Sequence, residues 1–211
     1  MYNILLLMNN IDFVHITKTG GTSIENWGLQ NNINWGYNKK DIFEKGRYSI
    51  DWKGGRANEK ESWHIPPRCF INNRRYPYKN TTFMVVRNPY SRIISEYYCP
   101  WVGSDYMQQH NVNEFNSWIN KFLKNQGYGA HGIPQSYYKP VDYILHLENL
   151  DKEFSVFIKS IDPSLPTVLP HINQSDVTKN KFSVKDISRE NINLINQIYS
   201  EDFDSFGYKK L

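Results

Sequence analysis

Thr81-Thr82-Phe83-Met84-Val85-Val86, running directly into Arg87-Asn88-Pro89-Tyr90-Ser91-Arg92, is the stretch that decides the fold. Its first six residues are β-branched or apolar and show no alternation of polar with apolar. A strand wetted on one face alternates. A strand covered on both faces does not, and that is the pattern of a central strand in a parallel sheet. Asn88 then supplies a helix-capping side chain, and Pro89 has the fixed φ suited to a first helical position. The pattern predicts a strand over 81–86 and a helix over 89–98.

Working outward, Asp12-Phe13-Val14-His15-Ile16 reads as a second short buried strand, followed by a loop that opens a helix over 23–29. Tyr143-Ile144-Leu145 reads as a third strand, and helices are expected over 114–125, 149–160 and 187–200. Residues 30–62 are polar and glycine-bearing and read as loop-rich. Strands alternating with helices imply an α/β fold, a three-layer sandwich around a central parallel sheet. No internal repeat or low-complexity linker interrupts the chain, so residues 1–211 are expected to form a single domain.

Bulk composition narrows the class. A chain of 211 residues can bury a core without disulfide staples. With 39% hydrophobic and 22% charged residues it is not a disordered segment. The net charge of +4 is dispersed, which favours an anionic ligand mildly and gives no sign of a nucleic-acid partner. Cys69 and Cys99 form no C-x-x-C pair and sit in no metal-spaced cluster, so free thiols and no metal are expected. The opening Ile4-Leu5-Leu6-Leu7-Met8 run lacks a basic flank and falls far short of the ~20 apolar residues of a membrane span. The chain reads as cytoplasmic or otherwise soluble. Its oligomeric state is left open.

Two segments carry chemistry. After the first strand comes Lys18-Thr19-Gly20-Gly21-Thr22-Ser23. Two glycines let the backbone turn tightly against a ligand, and loop amides at a helix N-terminus favour an anion. Lys18 adds a cation, and Thr22 and Ser23 add hydroxyl donors. The order G-x-x-x-x-G-K-[ST] of nucleoside-triphosphate loops is absent, because the lysine precedes the glycines. After the central strand comes Arg87, at the end of the sheet where open α/β folds bind ligands. Ser91 and Ser95 share one face of the predicted helix, and Arg87 with Ser95 can converge on one oxyanion. Taken singly, the loop reads first as an anion site and second as a plain turn with a surface charge, whereas the Arg87 segment reads first as a surface ion pair with a serine tucked into a helix. The pairing of the two on different strands favours ligand binding.

Together the segments resemble the sulfotransferases that use 3′-phosphoadenosine-5′-phosphosulfate (PAPS), particularly the carbohydrate type that includes heparan sulfate 2-O-sulfotransferases. The matching text is Phe13-Val14-His15-Ile16-Thr17-Lys18-Thr19-Gly20-Gly21-Thr22-Ser23 and Val86-Arg87-Asn88-Pro89-Tyr90-Ser91-Arg92-Ile93-Ile94-Ser95-Glu96-Tyr97. Weaker likeness continues through Pro134-Gln135, Tyr143 to Leu150, Pro170 to Ser175 and Ile198 to Tyr208. The resemblance implies a nucleotide-kinase-like sulfotransferase fold. It implies that Lys18, Thr19, Gly20, Gly21, Thr22 and Ser23 hold the 5′-phosphosulfate and that Arg87 and Ser95 hold the 3′-phosphate. It implies that Asn173 and Ser175 belong to a segment closing over the nucleotide. Thr17 departs from the family, which has proline there, and a stiff approach to the loop is lost.

Sulfuryl transfer needs charge stabilisation on the leaving oxygen, for which Lys18 is the candidate, and a base for the acceptor hydroxyl. His64, between the two anion segments in Trp63-His64-Ile65-Pro66-Pro67, is the first choice of base, and Glu61 is the second. His15 and His146 stand in or beside strands and read as packing. The expected acceptor is a hydroxyl on a saccharide, for which Trp35, Trp52, Trp101, Tyr106, Trp118 and Tyr128 either line a groove or pack. Two other functions compete. One is a nucleotide or small-molecule kinase, which lacks its loop order here. The other is a non-catalytic module binding glycan or nucleotide, against which an intact Lys18, Arg87 and Ser95 speak.

Overall fold

Residues 11–36, 63–70, 78, 80–100, 111–125, 129–170 and 182–211 are described by the computed structural model. Three parallel strands form the sheet: β1 (Ile11–Val14), β2 (Thr81–Val86) and β3 (Tyr143–His146), in the order β1-β2-β3. The stretch 81–86 is the central strand, pairing Phe13 with Phe83 on one side and Phe83 with Tyr143 on the other. The helices are α1 (Gly21–Gln30), α2 (Pro89–Tyr97), α3 (Val112–Lys124), α4 (Leu150–Ile161), α5 (Arg189–Ile198) and α6 (Ser200–Phe206).

Side chains of a strand alternate between faces, and the core follows. Ile11, Phe13, Phe83, Val85 and Leu145 meet Ile24 and Trp27 of α1 and Phe154, Phe157 and Ile158 of α4. On the opposite face Val14, Met84 and Val86 meet Ile65, Ile133, Tyr138 and Phe206. A third cluster joins α2, α3, α5 and α6 through Tyr97, Phe115, Trp118, Ile195 and Phe203. The expected α/β architecture, helices around a parallel sheet, is what forms. Trp35 and Trp118 are buried in the core; the other aromatic candidates for a sugar site, Trp52, Trp101, Tyr106 and Tyr128, lie outside the described residues. No disulfide joins Cys69, which is half-buried, and Cys99, which is buried.

Boundaries moved where caps decide them. Helix α1 begins at Gly21, two residues before the expected start, because Gly20 with φ 85° turns the chain into the helix. Helix α3 begins at Val112, because Asn111 and Glu114 exchange hydrogen bonds as a capping box. The single helix expected over 187–200 is instead α5 and α6, divided at Tyr199. Among the described residues no helix is long and apolar enough to cross a membrane.

Candidate active site

All three strands are parallel, so their carboxyl ends share one edge of the sheet. The loop after β1, Arg87 after β2 and the turn Leu147–Asn149 after β3 meet there. Three of the long helices carry side-chain caps: Asn88 caps α2, Asn111 caps α3 and Ser188 caps α5. Helix α4 has Asp151 and Glu153 in its first turn. Helix α1 has neither a side-chain cap nor an acidic residue there. The positive end of its dipole is left to be met by something other than a side chain, and an anion suits it.

Two cations stand beside that helix end. Lys18 adopts φ 61°, a left-handed conformation uncommon outside glycine. Arg87 is half-buried and donates Nη1 to the Lys18 carbonyl at 3.2 Å, which ties the two strand-end segments together. Among the described residues no carboxylate lies within ion-pair distance of Lys18 or Arg87. Burial lowers the Arg87 pKa, while Glu148, farther off, opposes that shift. A buried guanidinium without a carboxylate in contact is costly until an anion joins it. These residues therefore offer positive charge to an anionic group.

The sequence candidates fare differently. Thr19 is buried and its hydroxyl donates to the Ile16 carbonyl at 2.9 Å, so its side chain holds the loop rather than facing a ligand. Gly21 packs where no Cβ fits: one built there would lie 2.0 Å from His15 Nε2. Ser91 is the hydroxyl that meets Arg87, accepting from Nε at 3.2 Å, while Ser95 is half-buried one turn farther along α2. The Arg87 backbone is gripped at both polar atoms by the Gln135 amide, at 2.8 Å each. Gln135 and Ser136 are held in turn by the buried Asp202 carboxylate, which accepts their backbone N–H groups at 2.9 and 2.8 Å. Glu61, Asn173 and Ser175 lie outside the described residues.

A cleft of about 410 Å³ opens against the same loop. Thr22, Glu25, Asn26 and Leu29 line it from one face of α1, with His15, Trp63 and His64 opposite. His64 Nδ1 lies 3.1 Å from the His15 carbonyl oxygen. A carbonyl can only accept, so Nδ1 carries the proton and Nε2 keeps its lone pair. Burial first, and then the charge of His15, lower the His64 pKa well below 6.5, so the ring is neutral at physiological pH. A neutral imidazole with a defined acceptor nitrogen, in a cleft beside an anion site, is equipped to take a proton. A second cleft, about 420 Å³, lies between α3 and α5, but Asn116, Asn120 and Asn191 there bond one another and Glu190 in a closed ladder.

Sequence reasoning missed the carboxylates behind the histidines. His15 Nδ1 bonds Glu25 at 2.5 Å, and His131 Nδ1 bonds Glu96 at 2.7 Å. Glu96 also accepts from Thr17 Oγ1 at 3.0 Å. Arg92, 2% exposed, donates to the carbonyls of Thr17, His131 and Ile133 and to Thr17 Oγ1. Glu96, Cys99 and His131 bring three potential ligand atoms within 4.8 Å of one another, a juxtaposition their spacing does not reveal. Glu96 and His131 already bond each other there.

The fold is α/β, with a glycine loop and two cations at the carboxyl edge of a parallel sheet and a neutral histidine in the adjoining cleft. The sulfotransferase family model matches residues 8–209, and the chain belongs to that family. It is an enzyme class that transfers sulfuryl groups, which decides against the phosphotransferase alternative. Comparisons with curated proteins and with solved structures give no match.

Proposed function

We propose that this protein transfers the sulfuryl group of PAPS to a hydroxyl of a carbohydrate, working as one domain over residues 1–211. The observation that carries the reading is the pair of cations, Lys18 and Arg87, without described carboxylates in contact, beside the uncapped end of α1 and the cleft that holds His64. Bound PAPS supplies the electrophilic sulfur and a leaving phosphate. The amides of residues 20–22, the hydroxyls of Thr22 and Ser23 and the Lys18 ammonium hold the 5′ end, and Lys18 takes up charge on the bridging oxygen as the S–O bond breaks. Arg87, with Ser91 and Ser95 on α2, holds the 3′-phosphate, and Asn173 and Ser175 complete the enclosure.

The acceptor hydroxyl attacks sulfur in line with the leaving oxygen, and its proton passes to His64 Nε2 as the new O–S bond forms. Glu61 is the competing base. Trp63 offers a flat apolar surface to a sugar ring, and Thr22 and Asn26 offer polar partners on the same cleft.

The test pairs binding with turnover. Desulfated donor, 3′-phosphoadenosine-5′-phosphate, should raise the melting temperature, with about 2.7 kcal/mol of stabilisation at a hundredfold excess over Kd. Adenosine diphosphate, lacking the 3′-phosphate, should do much less; equal shifts would sink the two-site reading. Incubation with PAPS and a glycan panel should give sulfated product by mass spectrometry. His64→Ala should slow that reaction about 10²–10⁴-fold with nucleotide affinity intact. A normal rate for His64→Ala beside a collapsed rate for Glu61→Gln moves the role to Glu61.

A further inference from the structure

His15 follows β1 directly, where the strand pattern gives it only packing to do. Its surroundings are not those of a packing residue. Its ring Nδ1 bonds Glu25 Oε1 at 2.5 Å, and both residues are nearly buried, at 8% and 7% exposure, yet both line the cleft. Its Nε2 edge lies against Gly21 of the anion loop. Its ring centroid is 4.4 Å from that of His64, at an interplanar angle of 82°. Its backbone carbonyl accepts the His64 Nδ1 proton.

A buried imidazole–carboxylate pair carries a desolvation cost that apolar side chains would avoid. Joining β1 to α1 does not require it, because Ile11 and Phe13 already meet Ile24 and Trp27. A proton relay does not require it either. The proton on His64 Nδ1 points to a carbonyl that cannot take it up, and His15 Nδ1 is engaged by Glu25. No ring-to-ring hydrogen bond links the two histidines. What remains is an effect on the place and state of the His64 ring.

We infer that the buried His15–Glu25 pair is a positioning device for His64: Glu25 fixes the His15 ring, and His15 fixes the tautomer and the angle of His64 through its carbonyl and its ring edge. The inference rests on the reading of His64 as the base. The neighbours of His64 are consistent with it. His15 from the end of β1, His131 at 6.3 Å between ring centroids, and Arg92 from α2 all disfavour a positive charge on His64. Glu25 and Glu96 stand behind His15 and His131 respectively, Trp63 packs beside the ring, and Tyr138 donates to the His64 carbonyl at 2.7 Å. Exchanging Glu25 for glutamine replaces the carboxylate that holds the His15 ring, and the ring edge that sets the angle of His64 is released.

The experiment has three arms. Nitrogen-15 NMR of the wild-type protein reads the His64 tautomer, expected to be Nδ1–H; an Nε2–H tautomer overturns the proposal whether or not any variant folds. Steady-state kinetics against pH compare wild type with Glu25→Gln and His15→Gln. In each folded variant kcat should fall about tenfold or more, as for partners that orient a functional histidine. The acid limb of the kcat profile should move up, because burial is the first cause of the low His64 pKa and a released His15 ring loosens that burial. KM for the donor should stay within about twofold, because neither side chain is assigned to the nucleotide. Wild-type kcat and profile in a folded variant, or a lower melting temperature with an unmoved profile, overturns the proposal. The third arm is His64→Ala. Wild-type turnover there removes the base reading and the inference with it, whereas a dead His64→Ala beside a normal Glu25→Gln removes the inference alone.

Discussion

Replacing Gly21 with alanine sets two forces against each other. Gly21 opens α1 with a negative φ, and alanine is the better helix former by up to about 1 kcal/mol. Local propensity alone therefore calls for stabilisation. Packing calls for the reverse. The added Cβ would stand 2.0 Å from His15 Nε2, 2.3 Å from Cδ2 and 2.6 Å from Cε1. Carbon contacts are comfortable at about 3.5–4.0 Å, so the ring has to retreat by more than an ångström. It has little room to do so, being bonded to Glu25 and packed between Phe13, 5.4 Å away and tilted, and the edge-on ring of His64. Overpacking of this kind costs about 1–3 kcal/mol. The net expectation is a loss of about 1–2 kcal/mol, which lowers Tm by about 2–8 °C in a chain of this size. Urea or thermal unfolding of Gly21→Ala, His15→Ala and the double variant measures it. With the ring gone, alanine at 21 should cost nothing or stabilise, a non-additivity of about 1 kcal/mol or more. Equal costs in the two backgrounds, or a stabilised Gly21→Ala in the wild-type background, would refute the reasoning.

Arg87→Ala should weaken binding of 3′-phosphoadenosine-5′-phosphate by about 1.5–3 kcal/mol in calorimetric titration while leaving kcat at saturating donor nearly unchanged. Lys18→Ala should do the opposite, lowering kcat more than affinity, because its charge matters most as the leaving oxygen develops. Asp202→Ala leaves two buried N–H groups, of Gln135 and Ser136, without their acceptor and should cost about 3–5 kcal/mol in urea melts; Asp202→Asn keeps one acceptor oxygen and should cost distinctly less. Burial raises the Asp202 pKa above 3.8, so its contribution to stability is fullest below the unfolded value and is lost as pH rises through the folded one. Wild type should accordingly gain on Asp202→Asn as pH is lowered toward 3.8, and a gap independent of pH would contradict that assignment.

What the sequence made legible was local. The span 81–86 matched β2 residue for residue, and Asn88-Pro89 marked the start of α2, because both signals are carried by contiguous residues. The strand expected over 12–16 pairs only over Ile11–Val14, since the next residues already turn toward Lys18. The N-x-x-E signature of Asn111 and Glu114 starts α3 two residues before the expected 114. His64 was singled out by its interval, and its bond to the His15 carbonyl then specified which nitrogen is basic. His15 was read as packing because strand position masks chemistry. Its partner Glu25 is ten residues on, and only the reversal at Gly20 brings the two together. The Gln135–Asp202 support of Arg87 spans more than sixty residues, a pairing no period or motif encodes.

Thr17 stands where the resembling family has proline, and its hydroxyl donates to Glu96 while accepting from Arg92. A proline ring holds its backbone by itself and is indifferent to its neighbours' identity. A hydroxyl held between a carboxylate and a guanidinium makes the same stiffness a joint property of three positions. Proline introduced at 17 alone would withdraw one partner from each of two buried charges, and neither Glu96 nor Arg92 can drift while threonine stays. Position 17, open to a single exchange when viewed along the chain, is thus tied by contact to positions 92 and 96, and an exchange there is felt at both.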